Sequence, residues 1–84
     1  MMKTFDAAIY YLVEKDDENA FDILLDEFLE HATGNELRKA CLVLAELGYD
    51  YYLMKVVKVA KFRKVDVDNL MIEIEEIQKN APRT

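Results

Sequence analysis

The sequence is poor in the residue types on which most disulfide, metal and nucleotide sites depend. Its 84 residues include one cysteine, one histidine, two glycines and one proline. The single Cys41 excludes an internal disulfide framework, and Cys41 with His31 is too small a set for a tetrahedral zinc site. Two glycines cannot form a glycine-rich phosphate loop. We therefore expect no catalytic residues, no metal site and no cofactor.

Long apolar runs are also missing. The longest runs, such as CLVLA, are much shorter than the roughly 20 residues of a membrane helix. The N-terminal segment MMKTFDAAIYY has an aspartate at its sixth position and lacks the apolar stretch and small-residue cleavage site of a secretion signal. Since nothing requires oxidising conditions, we expect a cytoplasmic protein without membrane insertion.

The composition favours a folded globule, because 52% of the residues are apolar and 33% are charged. A chain of this length can build only one core. The sequence therefore predicts a single helical domain over residues 1–84. Asn80 and Pro82 end the helical pattern, so a short frayed tail is expected from about residue 80.

Apolar residues recur three and four positions apart, which is the spacing of an α-helix with one buried face. The clearest stripe consists of Phe21, Leu24, Leu25, Phe28, Leu29 and Ala32. The pattern predicts an all-α fold, a compact bundle of five short helices. Their expected ranges are about 5–14, 18–32, 36–47, 51–62 and 67–79.

Cap residues are predicted at the ends of these helices. Gly34 is expected to end the second helix in a left-handed conformation, and Gly48 is expected to end the third. Side-chain oxygens suited to N-caps precede the later helices: Asp16 or Asp17, Asn35, Asp50 and Asp66.

The fourth segment is ambiguous, since its valines favour a strand. As a strand, it would not separate apolar from charged residues. As a helix, it gathers its lysines opposite one apolar arc, made of Leu53, Val56, Val57 and Ala60. We therefore predict a helix whose lysines point outward.

Charge is unevenly distributed along this acidic chain, whose net charge is −6. Residues 1–35 carry nine acidic and two basic residues, and residues 36–64 carry three acidic and seven basic ones. Residues 65–84 carry five acidic and two basic residues. Neighbouring carboxylates could neutralise the basic segment internally, because surface charges interact over about 8–10 Å at physiological salt. Alternatively, the basic segment is a contact surface.

The sequence therefore leads to the hypothesis of a small non-catalytic protein-binding module of adaptor, regulatory or inhibitor type. Tyrosine and arginine are enriched at the strongest positions of protein interfaces. The candidate partner-binding residues are Tyr49, Tyr51, Tyr52, Lys55, Lys58, Lys61, Arg63 and Lys64. The acidic first half is a second candidate surface, since it could bind a basic partner.

Two further hypotheses remain open at this point. The protein could be a nucleic-acid-binding regulator of helix-turn-helix type that uses helix 51–62, although its net negative charge repels DNA. It could also form a homodimer through apolar residues outside the main stripes. Those residues include Ile23, Val59 and Ile72.

Overall fold

A computed structural model of the protein describes residues 2–80, which form five α-helices and no strand. The helices are α1 (Met2–Val13), α2 (Glu18–His31), α3 (Gly34–Leu47), α4 (Asp50–Phe62) and α5 (Asp68–Asn80). The all-α prediction is confirmed, and so is the choice of helix for α4. Helix α1 begins three residues earlier than predicted. Residues 81–84, where the frayed tail was predicted, lie outside the described residues.

Contacts between Cα atoms divide the chain into an N-terminal unit, Met1–Glu36, and a C-terminal unit, Leu37–Thr84. In the N-terminal unit, the Phe5 ring near the start of α1 lies 5.1 Å from the Phe28 ring near the end of α2, measured between centroids. The two helices are therefore antiparallel. Their buried residues recur at helical spacing, and those of α2 belong to its predicted stripe: Phe5, Ala8, Leu12, Phe21, Leu25, Phe28 and Leu29.

The C-terminal unit contains most of α3 together with α4 and α5. The Arg38 guanidinium in α3 donates a hydrogen bond of 2.9 Å to the carbonyl oxygen of Asp66, just before α5. The Gln78 amide near the end of α5 donates one of 3.1 Å to a carboxylate oxygen of Asp50 at the start of α4. Helices α4 and α5 are therefore antiparallel neighbours. The single-domain prediction for residues 1–84 stays a prediction.

One predicted N-cap is confirmed, and the cap of α3 was assigned wrongly. The Asp17 carboxylate accepts a 3.0 Å hydrogen bond from the amide of Ala20 and caps α2. Before α3, the Thr33 amide donates to the Glu36 carboxylate at 2.8 Å, and the Glu36 amide donates to the Thr33 hydroxyl at 3.2 Å. This reciprocal capping box satisfies two backbone amides, whereas a cap at Asn35 would satisfy one. Asn35 lies inside α3.

Gly34 likewise does not end α2 in a left-handed conformation. It is the first residue of α3. Helix α2 ends at His31, and its C-cap residue Ala32 has an extended backbone (φ −66°, ψ 141°). The capping box requires helical geometry directly after Thr33, which places Gly34 in the first turn of α3.

The N-termini of α4 and α5 differ slightly from prediction. Asp50 is the first residue of α4 and its N-cap position is Tyr49, whose side chain makes no capping hydrogen bond. Asp66 accepts a 3.0 Å hydrogen bond from the amide of Asp68, the first residue of α5. Asp66 thus stabilises the start of α5 from two residues before it.

Helices α3 and α4 end with the same hydrogen-bonding pattern. After α3, the Tyr49 amide donates to the Leu44 carbonyl at 3.0 Å, and Gly48 has a φ of 81°. After α4, the Val65 amide donates to the Ala60 carbonyl at 3.0 Å, and Lys64 has a φ of 60°. Both ends are Schellman motifs, which favour glycine at the left-handed position. Gly48 therefore ends α3 as predicted, while a lysine has the same role after α4.

Candidate protein-interaction surface

Helix α4 has one face that is fully covered by protein. Its buried residues are Leu53, Val56, Val57 and Ala60, each at most 2% exposed. They are three or four positions apart, so they form one stripe along the helix. Burial of this stripe fixes the rotation of α4 about its axis, and therefore determines which side chains face outward.

The opposite side of α4 combines lysines with exposed apolar side chains. Tyr51 is 78% exposed near the start of the helix and Phe62 is 87% exposed at its end. These two residues are about three helical turns apart on the same side, because a turn contains about 3.6 residues. Met54 is exposed beside them. We define the outer face of α4 as Tyr51, Met54, Lys55, Lys58, Lys61 and Phe62.

The predicted partner-binding residues fall into two groups by exposure. The half-buried ones are Tyr49, Tyr52 and Lys55. The exposed ones are Tyr51, Lys58, Lys61, Arg63 and Lys64. The second group runs along the outer face of α4 and into the turn that follows the helix.

The three predicted tyrosines form an aromatic cluster at the start of α4. The ring centroid of Tyr52 lies 5.3 Å from that of Tyr51, in an edge-to-face arrangement, and 6.3 Å from that of Tyr49. Such ring pairs add about 0.5–1.5 kcal/mol beyond the area that they bury. Tyr52 therefore supports Tyr51, which carries most of the exposed aromatic surface at this end.

Sequence reasoning missed Met54 and Phe62 as members of this surface. Phe62 entered the sequence analysis only as the last residue of the predicted helix 51–62. Its position eleven residues after Tyr51 and four after Lys58 was the available signal, since that spacing places it on the side of the lysines. The outer face is consequently more apolar than the charge pattern indicated.

Three exposed lysines, two on the outer face of α4 and one in the turn after it, show whether the positive charge of this segment is neutralised internally. Within residues 2–80, Lys58, Lys61 and Lys64 make no ion pair with a carboxylate at 4.0 Å or less. All three are exposed. Their ammonium groups are therefore available for contact with an acidic surface, subject to screening by salt.

The one cysteine and the one histidine of the sequence lie in different environments. Cys41 is completely buried in α3, and this burial raises the pKa of its thiol to about 11. Because the thiolate is the nucleophilic form, the Cys41 thiol is unreactive near neutral pH. His31 is exposed at the end of α2, with its imidazole 4.0 Å from the Glu30 carboxylate.

Among the described residues there is neither a metal-binding cluster nor a helix that could span a membrane. Residues 2–80 contain no group of three or more histidine, cysteine, aspartate or glutamate residues that could hold a metal ion. Among the helices formed by these residues, none has both the length and the apolar character that are needed to cross a bilayer.

Comparison of the chain with family models, curated proteins and solved structures finds no match.

Proposed function

We propose that the protein is a small, non-catalytic, cytoplasmic binding module, of adaptor, regulatory or inhibitor type, whose α4 outer face contacts another protein. The observation that carries this proposal is the exposure of Tyr51 and Phe62 at the two ends of a lysine-bearing face. Isolated apolar residues are common on protein surfaces. Two aromatic rings and a methionine on one helix face are typical of interface anchors instead.

The chemistry of the face also indicates the kind of partner. Aromatic anchors bind in apolar depressions, while the lysines around them favour acidic groups and speed the encounter through long-range attraction. The expected partner surface is therefore apolar at its centre and acidic at its rim. Arg63 and Lys64 extend the positive charge beyond the end of α4.

Photo-crosslinking in the source cell tests this proposal. Phe62 is replaced by photoreactive p-benzoylphenylalanine, which keeps an aromatic ring at the proposed anchor position. The matched control carries the same group in place of Ile72, which is 58% exposed on α5. Illumination is expected to give discrete protein adducts from position 62 and few from position 72. Equal adduct patterns from both positions, or none from position 62, would contradict the proposal.

Nucleic-acid binding through α3, the Gly48 turn and α4 remains the alternative. Lys55, Lys58 and Lys61 could contact phosphates, but the apolar side chains between them add little to a phosphate interface. The net charge of −6 also opposes DNA binding. Binding of a duplex at low salt that is lost in the variant Lys58→Glu/Lys61→Glu would favour this alternative over a protein partner.

A further inference from the structure

The outer faces of α2 and α5 share a pattern that complements the outer face of α4. In α2, Ile23 is 70% exposed and is followed three and four positions later by Asp26 and Glu27. In α5, Ile72 is 58% exposed and is followed at the same spacing by Glu75 and Glu76. Residues at these spacings lie on one side of a helix. Each helix therefore exposes an isoleucine surrounded by carboxylates.

We propose that the α4 outer face of one copy of the chain binds the α2 outer face of a second copy. This inference rests on the proposed function, since it names an occupant for the same surface. The α2 outer face is defined as Ile23, Asp26, Glu27 and Glu30. Its isoleucine supplies the apolar centre, and its carboxylates supply the acidic rim that the lysines of α4 require.

Two observations favour α2 over α5 as the complementary helix. Helix α2 contains no lysine or arginine, whereas Lys79 lies on the exposed side of α5, seven residues after Ile72. Ile23 is also more exposed than Ile72. The α2 face therefore attracts the lysines of α4 more strongly and offers more apolar surface to its aromatic residues.

The expected association is weak and sensitive to salt. Two short helices cover less area than the about 1,600 Å² of a standard interface, so a micromolar or weaker dissociation constant is expected. Because each copy carries both faces, every copy can supply either side of this contact. Salt screens exposed lysine–carboxylate attraction, so added salt should weaken the association.

Charge reversal on the purified 84-residue chain tests this inference. One variant, Lys58→Glu/Lys61→Glu, makes the α4 face acidic, and a second, Glu27→Lys/Glu30→Lys, makes the α2 face basic. All four side chains are exposed, so the fold should be retained. In sedimentation equilibrium, each variant alone is expected to self-associate at least about tenfold more weakly than the wild-type chain, because like charges then face each other.

Mixing the two variants distinguishes a specific contact from general charge effects. Each α4–α2 contact between unlike variants again joins opposite charges, so the mixture is expected to recover association close to that of the wild type. The matched control Glu75→Lys/Glu76→Lys places the same charge change on α5. Because it keeps the native α4 and α2 faces, it should restore no more association than the wild-type chain does when either is mixed with the α4 variant.

Three results would overturn the inference. These are a strictly monomeric wild-type chain up to millimolar concentration, no recovery in the mixture, and recovery with the α5 variant instead of the α2 variant. A monomeric chain whose Phe62 position still crosslinks to another protein in the cell would leave the proposed function standing. Failure of the two ideas can thus be told apart.

Discussion

Helices α3 and α4 follow each other in the chain but differ in how well their sequences suit an isolated helix. Helix α3 begins with the Thr33–Glu36 capping box and ends with a glycine at its left-handed position. Helix α4 begins without a side-chain cap and ends with Lys64 at the equivalent position. It also exposes Phe62 to solvent. Helix α3 thus follows the rules for local stability at both ends, and α4 follows them at neither.

This difference is informative because local rules are most often broken where residues serve a function. In α4, the residues that lower local stability are also those that supply charge and aromatic surface. Lysine at a left-handed position and phenylalanine in water are both unfavourable for the folded chain on its own. The comparison therefore supports the proposal that α4 is a binding element.

The largest expected effect is the difference in folding stability between alanine substitutions at buried and at exposed residues of α3 and α4. Leu44→Ala in α3 removes a completely buried side chain and should lower the free energy of unfolding by about 2–5 kcal/mol. Phe62→Ala in α4 should change it by less than about 0.5 kcal/mol, since the ring is mostly in water. Denaturant unfolding followed by circular dichroism measures both values.

Leu53→Ala, on the buried face of α4, is the matched control and should resemble Leu44→Ala. The comparison would fail if Phe62→Ala cost as much as these two substitutions, because Phe62 would then be covered in solution. If the cost of Phe62→Ala increased with protein concentration, the cover would be a second copy of the chain.

The second largest expected effect is a loss of folding stability at high pH, caused by the buried thiol of Cys41 in α3. Its pKa in the folded chain is raised to about 11 from an ordinary value of 9.0. Between these values the unfolded thiol loses its proton while the folded thiol keeps it, so the folded state binds more protons. Stability contributed by Cys41 is complete below pH 9 and falls above it, by at most about 1.4 kcal/mol per pH unit.

The variant Cys41→Ala isolates this contribution from that of other groups that titrate at high pH. The difference in free energy of unfolding between the wild type and the variant should shrink from pH 9 toward pH 11. A difference that stays constant over this range would show that the thiol titrates normally. In that case Cys41 would be accessible to solvent, and α3 would be less well covered than the structure indicates.

The buried face of α4 could be predicted from the sequence, because a regular apolar stripe determines which side of a helix is covered. Gly48 was predictable for a similar reason, since few other residues favour a positive φ. The cap of α3 was missed although its signal was present. The Thr33 and Glu36 pair has capping-box spacing, and it prevailed over Asn35 because it forms two hydrogen bonds.

The outer face of α4 was only partly predictable. Charge alone identified Lys58 and Lys61 as surface residues, and Tyr51 was identified because tyrosine is enriched at the strongest positions of protein interfaces. The exposure of Phe62 could not be derived with the same certainty, since a phenylalanine at a helix end is buried or exposed according to which other segments reach it. That information lies in the tertiary structure and not in the local pattern.

The smallest expected effects on the free energy of unfolding come from substitutions at the left-handed positions of the two Schellman motifs. The two substitutions should have opposite signs. Gly48→Lys should lower the free energy of unfolding by about 1 kcal/mol, because a side chain at a φ of 81° is strained even where space is open. Lys64→Gly should raise it by about 0.5–1 kcal/mol, since glycine relieves the strain at a φ of 60° but is more flexible when unfolded.

Lys64→Ala removes the same charge but keeps the β-carbon, so it should give no increase. Equal increases for Lys64→Gly and Lys64→Ala would mean that lysine at this position is unfavourable through its charge, and that backbone strain after α4 is negligible.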